Sequence, residues 1–185
     1  SDSNYIYFEI PNDVYLSGNV MSLIDGIGNT DVIPCNYCFS NLFKCTKIKM
    51  VSEDFLPATT LAEGCYGGMF AGCTSLVIAP DLHARTLASY CYSSMFYGCT
   101  SLTTAPALPA TTLADSCYST MLEGCSNLKT VTCLATNLSG VNCTKSWLSG
   151  VASNGTFVKA DGFDGWSTDE NGIPSGWNVT IVGKY

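Results

Sequence analysis

LPATTLAEGCYGGMFAGCTSLVIAPD (56–81), LHARTLASYCYSSMFYGCTSLTTAPA (82–107) and LPATTLADSCYSTMLEGCSNLKTV (108–131) are one phrase written three times. In register, Leu61, Leu87 and Leu113 align, as do Cys65, Cys91 and Cys117, Met69, Met95 and Met121, and Cys73, Cys99 and Cys125. Leu76, Leu102 and Leu128 close the set. A fixed period of this length indicates units that cannot bury an apolar face alone and must stack on their neighbours.

Within each phrase, Leu61, Cys65, Tyr66, Met69 and Phe70 fall at helical spacing and predict a short helix. Thr59 or Thr60 is placed to cap its start, and Gly72, Gly98 and Gly124 stand where a left-handed stop is wanted. The residues from Ser75 to Ala79 and their equivalents read as a strand ended by Pro80 or Pro106, stacked in parallel from unit to unit. The expectation is an α/β repeat solenoid, right-handed, of the leucine-rich type, with turns of 26 residues.

Outside the three phrases the pattern decays. Cys38, Leu42, Phe43, Cys45, Thr46 and Ile48 form a degraded first turn, and extra residues around Glu53-Asp54-Phe55 predict a bulge. Cys143, Trp147 and Gly150 mark a terminal turn in which Val151 replaces the second cysteine. Residues 5–10 and 14–16 read as cap strands, with a short helix within 20–27 stopped by Gly26 or Gly28. Thr156 to Lys159 and Val179 to Val182 predict a β-hairpin cap sealed by Phe157, Trp166 and Trp177. The expected organisation is one structural domain, with an N-terminal cap at 1–37, a solenoid at 38–150 and a C-terminal cap at 151–185.

Composition narrows the functional classes. With 8 Lys plus Arg and a net charge of −7, the chain lacks the clustered cations that phosphate backbones require, so a nucleic-acid partner is excluded. No apolar run approaches the roughly 18 residues of a membrane span. The opening SDSNYIYFEI has neither a basic nor an apolar leader segment, and we read it as the start of a mature fragment of an exported protein, one form being a chain lipid-anchored before truncation.

Nine of the 11 cysteines fall in two repeat columns, so their regularity points to packing ahead of a disulfide scaffold. Small thiols suit a tight interior and can donate to a carbonyl. Disulfides between neighbouring turns are the alternative. Cys35, Cys38 and Cys45 have the look of a zinc knuckle, but no second CxxC completes it. Asp161, Asp164, Asp169, Glu170 and Asn171 offer oxygen ligands at a spacing that fits no EF-hand, and read as a solvated loop. No cofactor is implied.

His83, the only histidine, replaces a turn proline and reads as a surface residue. A nucleophile pair built on it would draw on thiols expected to be buried and inert, so no catalytic residue is assigned and the chain reads as a non-enzyme. Tyr66, Tyr92 and Tyr118 form a column that, if outward, would stack under a glycan; a ring packed at the helix edge is the plainer reading. The most variable columns are Ala71/Tyr97/Glu123, Glu63/Ser89/Asp115 and Ile78/Thr104/Thr130. From these, Tyr97, Glu123, Thr104 and Thr130 are the candidate binding residues, since a ligand is read at outward positions that vary on a constant scaffold.

The phrase LPATTLA-x-x-CY-x-x-MF-x-GC-x-x-L and the later GIPSGW resemble the BspA-type leucine-rich repeats of surface proteins from gut Bacteroides-like bacteria, over roughly residues 38–180. The resemblance implies a right-handed leucine-rich solenoid, export to the cell surface, and a role in adhesion or host-protein binding. The expected function is therefore a non-enzymatic extracellular module for protein–protein interaction or adhesion. Its expected partner is a host or cell-surface protein ahead of a glycan; a glycan-binding surface module is the alternative.

Overall fold

The computed structural model describes residues 12–44 and 47–183. The strand expected over 5–10 lies outside the described residues, as do Cys45 and Thr46 of the degraded first repeat.

The repeated helix is absent. Its place is taken by a run of consecutive turns, and the only α-helix among the described residues is α1 (Ser22–Asp25), stopped by Gly26 in a left-handed conformation at φ 78°. The physical cause is a left-handed residue at every fourth position: Gly64, Gly68 and Gly72, then Tyr90, Ser94 and Gly98, then Ser116, Thr120 and Gly124, then Asn142, Ser146 and Gly150. An α-helix requires negative φ throughout, so each such residue ends it and restarts a turn.

Backbone donors then alternate between two destinations. The amides of Cys65, Gly67, Met69 and Ala71 donate three residues back, to Ala62, Gly64, Tyr66 and Gly68. Those of Tyr66, Gly68 and Phe70 donate across to Cys91, Ser93 and Met95 of the next phrase, at 3.0, 2.8 and 2.9 Å. A helix would have spent all of these donors on itself. Here half of them bind one phrase to the next, each contributing about 1 kcal/mol net.

Under the turns lies the core. Phe39, Tyr66, Tyr92, Tyr118 and Trp147 stack in one file with centroids 5.7, 5.9, 6.2 and 6.1 Å apart. Phe43, Phe70 and Phe96 make a second file at 5.7 Å per step. Met69, Met95 and Met121 and the leucines Leu76, Leu102 and Leu128 are fully buried beside them. The thiols of Cys73, Cys99 and Cys125 donate to the carbonyls of Phe43, Phe70 and Phe96 at 3.1, 3.2 and 3.1 Å, so this column ties each phrase to the one before.

The opposite side is different. β1 (Val14–Leu16) pairs in parallel with β2 (Ile48–Val51), and Met50 bridges Ile78. Farther along, Thr104 bridges Thr130 at the start of β3 (Thr130–Cys133), which pairs in parallel with β4 (Thr156–Lys159), itself parallel to β5 (Asn178–Ile181). No backbone hydrogen bond joins residues 74–81 to 100–107, among the described residues. The continuous strand ladder expected from the repeats is thus two small parallel sheets with a seam between them.

These findings overturn the α/β repeat solenoid and the leucine-rich helix–strand unit: the repeats are turns, the described residues carry almost no helix, and the sheet is discontinuous. The expected C-terminal hairpin is corrected as well. β4 and β5 run parallel, which obliges residues 160–177 to carry the chain back across the end of the core. On that path Trp166 stacks on Trp147 at 5.4 Å, and Trp177 is buried with its indole N–H donating to the Ala152 carbonyl at 2.8 Å.

Candidate functional site

The turn run carries two exposed aromatic residues where its geometry favours none. Tyr37 and Tyr90 both adopt φ 57°, and their side chains are 47% and 46% exposed. A bulky residue in the left-handed region costs roughly 1–2 kcal/mol relative to glycine. Gly64, standing between them in the same column, occupies that conformation without the cost. A tyrosine at these two places is therefore not what the backbone asks for.

Around them a shallow cleft is lined by Ser40, Asn41, Gly64, Gly67, Gly68, Ser93 and Ser94. The glycines make its floor. A Cβ on Gly64 would collide with the Tyr37 ring, so the missing side chain is what lets that ring lie down over the neighbouring turn. Asn41 settles over Gly68 in the same way. The Tyr37 hydroxyl donates to Glu63 Oε1 at 3.0 Å, and the Tyr37 amide donates to the Glu63 carbonyl at 2.8 Å. A Cys35–Cys38 disulfide, Cα atoms 5.6 Å apart, closes the four-residue loop that contains Tyr37.

The polar groups of the cleft are held by the stack. Ser40 Oγ donates to the Gly67 carbonyl at 3.0 Å while accepting from Asn41 Nδ2 at 3.0 Å. Ser93 Oγ donates to the Ser119 carbonyl at 3.3 Å, and Ser94 Oγ lies 2.7 Å from Thr120 Oγ1. The lining is neutral, with Glu63 beside Tyr37 as the neighbouring charge. Two ring faces and a set of fixed hydroxyl and amide groups can bind and orient a ligand; they contain no general base.

The residues singled out from sequence are spread over two places. Tyr97 and Glu123 lie in the turn ladder, where their carbonyls accept from Gly72 and Gly98, and Tyr97 is 47% exposed. Thr104 and Thr130 lie on the other side and bridge each other at the edge of the larger sheet. Neither pair belongs to the cleft lining. Tyr66, Tyr92 and Tyr118, the column considered for glycan stacking, are buried to 1% exposure and present no face to solvent. The cleft residues carry a signal in the sequence: Tyr90 stands in register with Gly64 and Ser116, an aromatic among small residues.

The thiols offer no nucleophile. Burial pushes Cys65, Cys117, Cys125 and Cys133 up to about 12, and raises Cys91 and Cys99 well above the ordinary thiol value. Cys35 and Cys38 are spent on each other, which removes two ligands from the apparent zinc knuckle. No group of three or more His, Cys, Asp or Glu is placed to hold a metal ion, among the described residues. In the acidic C-terminal loop, Asp164 pairs with Lys159 at 2.5 Å and Asp169 accepts from Ser167 and from the Asn171 amide. No helix among the described residues is long and apolar enough to cross a membrane.

Comparison with protein-family models, with curated proteins and with solved structures finds no match to the chain.

Proposed function

We propose that this chain is a non-catalytic binding or adhesion module of an exported protein displayed at a cell surface. The observation that carries the reading is the construction of the turn face. A closely hydrogen-bonded ladder repeats its outward positions in register, so side chains at these positions form rows on a preorganised frame. Glu63, Ser89, Asp115 and Val141, whose carbonyls accept from the phrase before, make one such row, and Gly67, Ser93, Ser119 and Lys145 another. Tyr37 of the degraded first turn and Tyr90 of the second phrase flank a cleft whose floor is the first phrase.

Two further features support it. The reactive side chains have been withdrawn from the surface, since the nucleophilic thiols sit in the core with their pKa values raised by burial. The disulfide at Cys35, an exposed residue, fits an oxidising compartment, where such bonds persist.

The test is binding of the purified chain to immobilised extracellular-matrix proteins and polysaccharides at physiological salt. Saturable binding to one class is expected. A blank across both classes overturns the reading and directs attention to a structural role in envelope assembly.

A further inference from the structure

The geometry points to the Tyr37–Tyr90 cleft as a binding subsite for a neutral oligosaccharide. This inference rests on the binding-module reading and names the ligand class that the module takes.

Three observations converge on it. First, the tyrosines are held against backbone preference. Both stand at φ 57° in a column where Gly64, Ser116 and Asn142 serve the same turn, so the turn is made with far smaller side chains and does not itself require a ring. Strain maintained at two positions flanking one cleft indicates that the aromatic faces themselves are wanted. Second, the floor has been cleared. Gly64 and Gly68 are buried beneath the Tyr37 ring and Asn41 and leave the backbone at Gly67 partly exposed between them, while the phrases on either side place Ser40 and Asn41, or Ser93 and Ser94, at the positions of Gly67 and Gly68. Third, the lining offers hydroxyl and amide groups without an apolar pocket and without cations.

A sugar ring matches that set. Its C–H face packs on a tyrosine ring, and its hydroxyls exchange hydrogen bonds with serine and asparagine side chains fixed by the stack. A proline-rich peptide needs apolar slots between its aromatic rings, which a glycine floor does not form. Anionic glycans are disfavoured by the net charge of −7 and by Glu63, whose carboxylate accepts from the Tyr37 hydroxyl at the cleft wall. Glycan stacking considered for Tyr66, Tyr92 and Tyr118 thus moves to a different pair of rings, because those three are buried.

The experiment is titration calorimetry of the full chain with cellohexaose, laminarihexaose, maltohexaose and mannohexaose, repeated on Tyr37→Gly, Tyr90→Gly and the double variant. Glycine suits the left-handed backbone at both places, so these variants are expected to fold with an undiminished melting midpoint, which separates a binding role from a structural one. At least one hexasaccharide is expected to bind saturably, with a tenfold or greater loss in each single variant and no measurable binding in the double. Oligosaccharide binding that survives the double variant overturns the assignment of the cleft. Four blank titrations beside saturable binding to an immobilised protein overturn the glycan inference and leave the binding-module reading standing. If that protein binding is lost in the double variant, the cleft is a protein-docking site and the glycan inference again fails. Blank results with both hexasaccharides and immobilised proteins overturn the inference and the reading together.

Discussion

The two sides of the repeated phrases obey different rules although they share one sequence period. On the turn side, backbone hydrogen bonds pass from Tyr37 and its neighbours through every phrase to Ser149 without a gap, above two files of stacked aromatic rings. On the strand side the pairing stops between Ile78 and Thr104 and resumes beyond it. Continuity thus depends on how a segment spends its donors. The turns must send every second amide to a neighbour, because a left-handed residue at each fourth position denies it an internal partner. The short extended segments carry no such obligation, and prolines such as Pro80 and Pro106 withhold a donor there.

If the core beneath the two sides holds the molecule, its buried thiols should set the alkaline limit of stability. Cys65, Cys117, Cys125 and Cys133 are raised from 9.0 to about 12, so the folded state favours the protonated thiol. Their contribution is whole below the unfolded value and is lost as pH climbs from about 9 to about 12. Near pH 10 each thiol forfeits about 1.4 kcal/mol, and the four together about 5.6 kcal/mol. Urea midpoints measured at pH 8 and pH 10 check this; equal midpoints would mean that the thiols reach solvent in the native state.

Hydrogen exchange probes the seam directly. The Phe70 and Phe96 amides, which donate to Met95 and Met121 at 2.9 Å, should exchange at least about a thousandfold more slowly than those of Ala79 and Thr104, which make no backbone bond across the seam. That factor corresponds to about 4 kcal/mol of protection. Equal protection at Thr104 and Phe96 would show a ladder bond across the seam and erase the contrast between the two sides.

Smaller effects come from single positions. Gly124, at φ 75° and within 3.6 Å of where a side chain would meet Gly98, tests the left-handed column: Gly124→Ala should cost about 1–2 kcal/mol in chemical denaturation. An unchanged midpoint would show that the turns do not need that conformation. The least change is expected at Tyr66, whose buried hydroxyl has no hydrogen-bond partner among the described residues. Tyr66→Phe keeps the stacked ring and removes the unpaired group, so the protein should gain about 1 kcal/mol. A loss on the same scale would reveal a bound partner for that oxygen.

Much of this organisation was legible in the residues. The phrase, its period, the apolar columns and the decay at both ends can be read directly, because each buried position repeats the same side chain. The expectation of the repeated helix has a physical cause in the spacing of these residues. Leu61, Cys65, Met69 and Cys73 advance by four, which a helix and a run of four-residue turns share. The deciding signal was the pair at the centre of each phrase, Gly67-Gly68, Ser93-Ser94 and Ser119-Thr120, where a helix would want strong helix formers.

By itself, then, the sequence determined that like residues must stack upon like, since identical apolar columns at a constant period have only their own neighbours to bury against. Tertiary structure alone decided which donors cross between phrases, where the sheet breaks, and which tyrosines face water. Those outcomes turn on the sign of φ at single residues and on the space left by a glycine one phrase away, as Gly64 leaves it for Tyr37. Contacts between residues distant in the chain settle such matters, and a periodic sequence does not display them.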